Sequence, residues 1–251
     1  MMRIALVLVA LLAPVTLFAA EYEQLMLPIA PSVVHCGYES RYETRLLAYN
    51  ADAEASASFC AEGRCNELRP NTGSELGGDY AGGTPLPAFL YVPKEVAEDL
   101  RLSIMVESSE RSRLDERAFT EIPVVRASQF REGKMQLVGV RMDPGFRQTV
   151  RMYGLDGSQH GEIMMRVFAL GSDEKLHECV HYLSPLTSET TAEGLQLRPS
   201  FGMECDMSHH VLNDGTKVRI ELESLTPGLK FWAFMSITNN KTQHFYTVLP
   251  H

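Results

Sequence analysis

The sequence predicts an all-β fold of two antiparallel β-sandwiches in tandem, preceded by an export signal. Short alternating apolar runs recur along the chain, polar turns separate them, and helical stretches are few. In addition, one strand–turn–strand unit occurs twice, at 100–108 with a closing segment at 119–123, and at 229–237 with a closing segment at 246–250. Both closing segments read aromatic-Thr-x-aliphatic-Pro. A unit repeated at this distance indicates two similar domains rather than a short-period solenoid.

The first twenty residues have the pattern of a signal peptide. Arg3 supplies a positive start, residues 4–12 are apolar, and Pro14 precedes the small residues Ala19 and Ala20. An uncleaved membrane anchor is the alternative, but a bilayer span needs about twenty uninterrupted apolar residues. We therefore expect a secreted or periplasmic protein whose mature chain has no stable membrane insertion.

The mature chain has enough residues and enough apolar content for two domains. Hydrophobic residues make up 45% of the 251 residues, which is sufficient for packed cores. The expected domains are 21–125 and 126–251. The net charge of −9 disfavours binding to nucleic acid.

The first domain reads as short strands with one helical turn. Pro93 can open that turn over 93–99, because proline suits the first helical position. Residues 71–83 are rich in Gly, Asn and Asp and predict a long loop. The predicted strands are 45–49, 55–59, 88–92, 100–106 and 119–125.

The second domain repeats this style. A turn over 171–174 predicts a hairpin, and Asp156-Gly157 and Asp214-Gly215 predict two more hairpin turns, since glycine accepts the positive φ that such turns need. The predicted strands are 135–140, 149–153, 162–170, 175–183, 195–201, 218–222 and 230–237.

All five cysteines lie in the exported part, where an oxidising compartment favours disulfides. Cys60 and Cys65 bracket a glycine-containing turn and can face each other across a hairpin. Cys179 and Cys205 fall in consecutive strands and form the second expected pair. Cys36 is left over, unless it pairs with Cys60 or Cys65.

Five segments resemble parts of a family of uncharacterised bacterial secreted proteins with tandem immunoglobulin-like β-sandwich domains. They are 42–50, 122–126, 136–141, 147–153 and 236–244. The resemblance implies tandem immunoglobulin-like sandwiches and export. It carries no catalytic or binding residue.

The segment from His177 to His181 matches the H-E-x-x-H pattern of zinc peptidases. On a helix, His177 and His181 would bind Zn²⁺, with Glu204, His209 or His210 as the third ligand, and Glu178 would act as general base. The pattern needs a helix, whereas the segment follows a turn and reads as the second strand of a hairpin. On a strand, His177, Cys179 and His181 share one face. A zinc metalloprotease is thus kept only as the alternative function, because it requires a helix at this segment.

A structural zinc site is a second way to use these residues. Its ligands would be Cys179, His181, Cys205 and His209, which are normal zinc ligands. Export favours the disulfide over this site.

The sequence favours a secreted non-enzymatic binding or structural module without a cofactor. The expected partner is an extracellular protein or glycan. Edge strands and the loops over 71–83 and 184–194 would supply contacts. Trp232 is the binding candidate, because it flanks the inward register of Phe231 or Phe234, which suggests that the indole points outward.

Overall fold

Four antiparallel sheets make up the described part of the chain in a computed structural model. This structure describes residues 21–29, 32–36, 40–61, 64–77, 87–110, 117–186, 198–205, 207 and 215–251. Strands supply almost all of the regular structure, together with helix α1 (Lys94–Ala97) and a 3-10 turn (Ala127–Gln129). The predicted all-β class is confirmed.

The strands up to residue 126 form two of the sheets. The strands are β1 (Tyr22–Leu27), β2 (Ser32–Cys36), β3 (Ser40–Asn50), β4 (Ala57–Ala61), β5 (Arg64–Leu68), β6 (Gly73–Gly77), β7 (Ala88–Pro93), β8 (Leu100–Glu110), β9 (Arg117–Ile122) and β10 (Val125–Arg126). Sheet A has the order β10-β1-β7-β4-β5, and sheet B has the order β2-β3-β8-β9, with β6 also paired to β3.

The strands from residue 134 onward form the other two sheets. The strands are β11 (Lys134–Arg141), β12 (Phe146–Gly154), β13 (Gly161–Ala169), β14 (Lys175–Leu183), β15 (Ser200–Cys205), β16 (Lys217–Ser224), β17 (Phe231–Asn239) and β18 (Phe245–Val248). Sheet C has the order β15-β12-β17-β18, and sheet D has the order β11-β16-β13-β14.

Several predicted local features are present. Both copies of the repeated sequence unit form an antiparallel hairpin, β8–β9 in the first half and β17–β18 in the second. The helical turn forms after Pro93, which occupies the N-cap position. The hairpin at 171–174 joins β13 to β14, and Gly171 has the positive φ of 80° that the turn requires.

Other predicted features are wrong. The Asp156-Gly157 turn joins β12 to β13, which belong to different sheets, so it is a crossing between sheets and not a hairpin. The connection that includes Gly215 likewise runs from sheet C to sheet D, while Asp214 lies outside the described residues. The predicted loop over 71–83 contains strand β6, which pairs with β3. The rest of that loop, from residue 78, lies outside the described residues.

Sheet C is buried on one face and partly covered on the other, although a sandwich sheet ordinarily leaves one face to solvent. Its inner face looks toward sheet D, since a Cβ at Gly154 would lie 3.4 Å from Leu183 of β14. Its outer face carries Tyr153 and Trp232. These side chains are covered by the first half of the chain, which comprises the strands up to residue 126. The Tyr153 hydroxyl donates a hydrogen bond to the carbonyl of Pro28 at 3.1 Å, and burial raises its pKa.

Arg147 ties the two halves together on this same face. Its Nη2 donates to Gln243 Oε1 at 2.9 Å and to the Tyr42 hydroxyl at 3.3 Å, and its Nη1 donates to Asn240 Oδ1 at 3.1 Å. The Tyr42 ring also meets Phe245 edge-on, with centroids 6.1 Å apart. Three of the segments that carry the family resemblance therefore meet at the junction between the halves.

Candidate functional site

Strand β14 holds the residues of the H-E-x-x-H segment at the edge of sheet D. It is paired with β13, in a register that sets Cys179 opposite Met165 and His181 opposite Ile163. Met165 and Ile163 are fully buried. Because directly opposed residues lie on the same face of a sheet, Cys179 and His181 face inward.

The inward face of β14 carries a chain of three polar groups, which we call the inner cluster: Cys179, His181 and Glu204. Cys179 Sγ lies 3.0 Å from His181 Nε2, and His181 Nδ1 lies 3.4 Å from Glu204 Oε2. Glu204 comes from β15, where it pairs with the buried Val150 and so also points inward. His177 is half-buried on the same face of β14.

The order thiol, imidazole, carboxylate matches that of a nucleophile, its base and an orienting acid. The electrostatics oppose that use. Burial, followed by the charges of Glu204 and Glu178, raises the pKa of the Cys179 thiol to about 11. Reactive cysteines instead have a lowered pKa. At neutral pH the inner cluster therefore holds a protonated thiol beside the imidazole, and not a nucleophilic thiolate.

The opposite face of β14 is turned to solvent and carries what we call the outer strip: Glu178, Val180 and Tyr182. Val180 is 36% exposed and Tyr182 is 66% exposed. Glu178 Oε2 forms ion pairs with Arg166 Nε at 2.8 Å and with Lys175 Nζ at 3.1 Å. Hydrogen bonds from Lys175 and Arg166 lower the pKa of Glu178.

The zinc-peptidase interpretation of His177, Glu178 and His181 is wrong in its structural premise. Residues 175–183 form a strand and not a helix. The two imidazoles consequently lie on one face, and the carboxylate that would act as general base lies on the other. Among the described residues, no group of three or more His, Cys, Asp and Glu side chains is arranged to hold a metal ion.

The expected disulfide between Cys179 and Cys205 is not formed here, because Cys179 is a free thiol. The residue of β15 whose side chain contacts the inward face of β14 is Glu204, and its carboxylate contacts His181. The side chain of Cys205, and His209 as a whole, lie outside the described residues. The proposed structural zinc site therefore stays a prediction.

Cys60 and Cys65 are directly opposite each other on the β4–β5 hairpin, as the sequence predicts. Their side chains, like that of Cys36, lie outside what the structure describes. Their disulfide, and the fate of Cys36, stay predictions.

Trp232 is not available as a contact residue, because only 3% of it is exposed. The predicted exposure of Trp232 is wrong: the indole lies on the face opposite to Phe231, but the first half of the chain covers that face. Trp232 packs in an aromatic group with Tyr153 and Phe234, at centroid distances of 6.0 Å and 5.5 Å. Of the expected contact loop over 184–194, Ser184 bridges to Phe201, and residues 187–194 lie outside the described residues.

Tyr182 was not among the candidates predicted from the sequence, although the alternation that turns Cys179 and His181 inward also turns Val180 and Tyr182 outward. Glu204 was among them, as a third zinc ligand. Its contact with His181 was not predicted, since it depends on which strands of different sheets lie side by side.

No family model, curated protein or solved structure matches this chain. No described helix combines the length and the hydrophobicity that a membrane span requires.

Proposed function

We propose that this protein is an exported, non-enzymatic binding module. It is built from two tandem immunoglobulin-like β-sandwiches, over 21–125 and 126–251, and binds a partner protein outside the cytoplasm through the outer strip of β14. The signal-like residues 1–20 and the family resemblance support export and the immunoglobulin-like type. The separate pairing of β1–β10 and of β11–β18 supports two sandwiches.

The exposed outer strip carries the proposal. Tyr182 and Val180 are exposed side chains on the solvent face of β14, an edge strand of sheet D that, among the described strands, forms a ladder only with β13. One bridge, from Ser184 to Phe201, joins the end of β14 to β15, and the Tyr182 carbonyl lies against Gly202. A strand at a sheet edge can offer its backbone as well as its side chains to a partner. Tyrosine is enriched among residues that dominate protein interfaces.

The central strand β3 offers an internal comparison. Leu47 and Tyr49 are 37% and 43% exposed on one face, but β3 has hydrogen-bonded neighbours on both sides. Only side chains are available there. Strand β14 has a hydrogen-bonded ladder on one side only, so the outer strip, away from the bridge to β15, fits a protein partner better.

The inner cluster supports a role without catalysis. Its thiol has a raised pKa, and the nearby carboxylate of Glu178 is held on the other face by Arg166 and Lys175. A peptidase assay on the purified protein, with and without added zinc, checks this directly. Zinc-dependent cleavage that His181→Ala abolishes would overturn the non-enzymatic proposal.

The binding proposal is tested by capture from the native extracytoplasmic fraction with the full mature chain. Tyr182→Ala is compared with Tyr49→Ala as the matched control. Loss of an interface tyrosine of this kind costs about 2 kcal/mol, which is roughly a thirtyfold loss of affinity. We expect a protein that the wild type and Tyr49→Ala retain and Tyr182→Ala does not. Equal retention by all three, or capture that glycosidase treatment of the fraction abolishes, would contradict it.

A further inference from the structure

Arg151 lies on the outer face of sheet C, and some of its N–H donors have no hydrogen-bond acceptor in the described part of the chain. Its Nε and Nη1 are both buried and have no hydrogen-bond partner among the described residues. A guanidinium carries five N–H donors, of which Nε supplies one and Nη1 two, so most of its donors are unmet. Buried charged donors of this kind are rare in native structures and call for an explanation such as a bound ion.

Arg147 shows how a guanidinium on this face is ordinarily satisfied. It lies four residues earlier on the same strand and donates to Gln243, Tyr42 and Asn240. The residues opposite Arg151 are Met203 on β15 and Phe234 on β17, neither of which has a side-chain oxygen. On the two neighbouring strands, therefore, the residues directly opposite Arg151 are apolar, whereas Arg147 has acceptors.

The adjoining row of the sheet supplies hydroxyl groups. Thr149 lies two residues before Arg151 on β12, and Ser236 of β17 is directly opposite Thr149. Residues two apart on a strand share a face, so both hydroxyls lie on the face of Arg151. Both residues are half-buried, which leaves them open to a small ligand.

We infer that Arg151, Thr149 and Ser236 form a binding site for an oxyanion of carboxylate or phosphate geometry, at the junction between the two halves of the chain. The planar guanidinium matches two oxygens of such an anion, and hydroxyl donors complete its coordination. This oxyanion site is separate from the outer strip and does not depend on the proposed function.

Thermal unfolding of the full mature chain tests the site, with sodium acetate and sodium phosphate compared with sodium chloride at equal ionic strength. We expect the midpoint of the wild type to rise saturably in acetate or in phosphate, because a ligand that binds only the folded state stabilises it. A response to acetate alone identifies a planar carboxylate site, and a response to phosphate alone identifies a tetrahedral one.

Three variants separate binding from general salt effects. Arg151→Met should lose the saturable response, Arg151→Lys should need an about tenfold higher concentration because it loses the fork geometry, and Arg141→Met should respond like the wild type. Arg141 is the control because its side chain is 61% exposed on another sheet.

The chloride arm distinguishes an anion site from a merely packed guanidinium. Removal of unmet buried donors should leave Arg151→Met at least as stable as the wild type in chloride. The inference is overturned if neither anion acts saturably, if Arg151→Met responds like the wild type, or if Arg151→Met is strongly destabilised in chloride and no anion response exists.

Discussion

Cys179 should react slowly with an aromatic disulfide reagent, even though an imidazole lies 3.0 Å from its sulfur. Its pKa is raised from 9.0 to about 11, first by burial and then by Glu204 and Glu178. The thiolate is the species that attacks a disulfide. Below pH 9, this shift lowers the thiolate fraction about a hundredfold relative to an unperturbed thiol.

The raised pKa also makes each thiolate more nucleophilic, which offsets part of that loss. With a Brønsted coefficient of roughly 0.4–0.5, two pKa units raise the intrinsic rate about tenfold. The net expectation is a rate about tenfold below that of the same cysteine in the unfolded chain. The rate should go on rising with pH until the pH passes about 11.

The assay follows labelling of the peptide that contains Cys179 by mass spectrometry, from pH 7 to pH 12, with the chain in denaturant as the reference. Glu204→Gln should move the inflection to lower pH, because it removes the negative charge that most opposes the thiolate. The same shift makes the folded state lose stability as pH rises from about 9 to about 11, since the unfolded chain releases the thiol proton first. An inflection below pH 9 in the native protein would refute the reasoning and show an activated nucleophile.

Three further predictions concern the junction and the first half. Trp232→Ala should lower the free energy of unfolding, measured by urea titration, by about 3–5 kcal/mol, as for other buried aromatic residues. A change below about 1 kcal/mol would mean that the first half does not cover the indole. Arg147→Met should lower the free energy of unfolding by about 1.5–3 kcal/mol, less where solvent reaches the guanidinium, because Gln243 then has no charged donor. An unchanged urea midpoint would show that the halves do not depend on this contact. Mass spectrometry of peptides from the exported protein, digested without reductant, should find Cys60 joined to Cys65, since directly opposed strand residues have the Cα spacing that a disulfide needs. Two free thiols would contradict this.

The alternation of residue types was sufficient to predict strand β14 and its faces. Lys175 to Leu183 alternate after a turn at Gly171, and the observed strand has the predicted bounds. Period-two alternation is a local property, so it also separated His177 and His181 from Glu178 without knowledge of the fold. It was the strongest sequence argument against the zinc-peptidase motif.

Properties that depend on the neighbouring sheet could not be read in the same way. Alternation placed Trp232 on the face opposite to Phe231 and so predicted an exposed indole, but the packing of the two halves buries that face. The Asp156-Gly157 pair has good turn chemistry, yet the next strand joins a different sheet, and no local signal distinguishes that crossing from a hairpin. Arg151 looks like an ordinary surface charge until the same packing places it at the junction.

Site-specific photo-crosslinking in the native extracytoplasmic compartment tests the central claim most directly. A photoreactive residue replaces Tyr182 in the outer strip or, as the control, Tyr49 on β3. The account predicts one crosslinked protein partner from position 182 and none from position 49. Crosslinks from both positions alike, or none from position 182 in the exported protein, would contradict it.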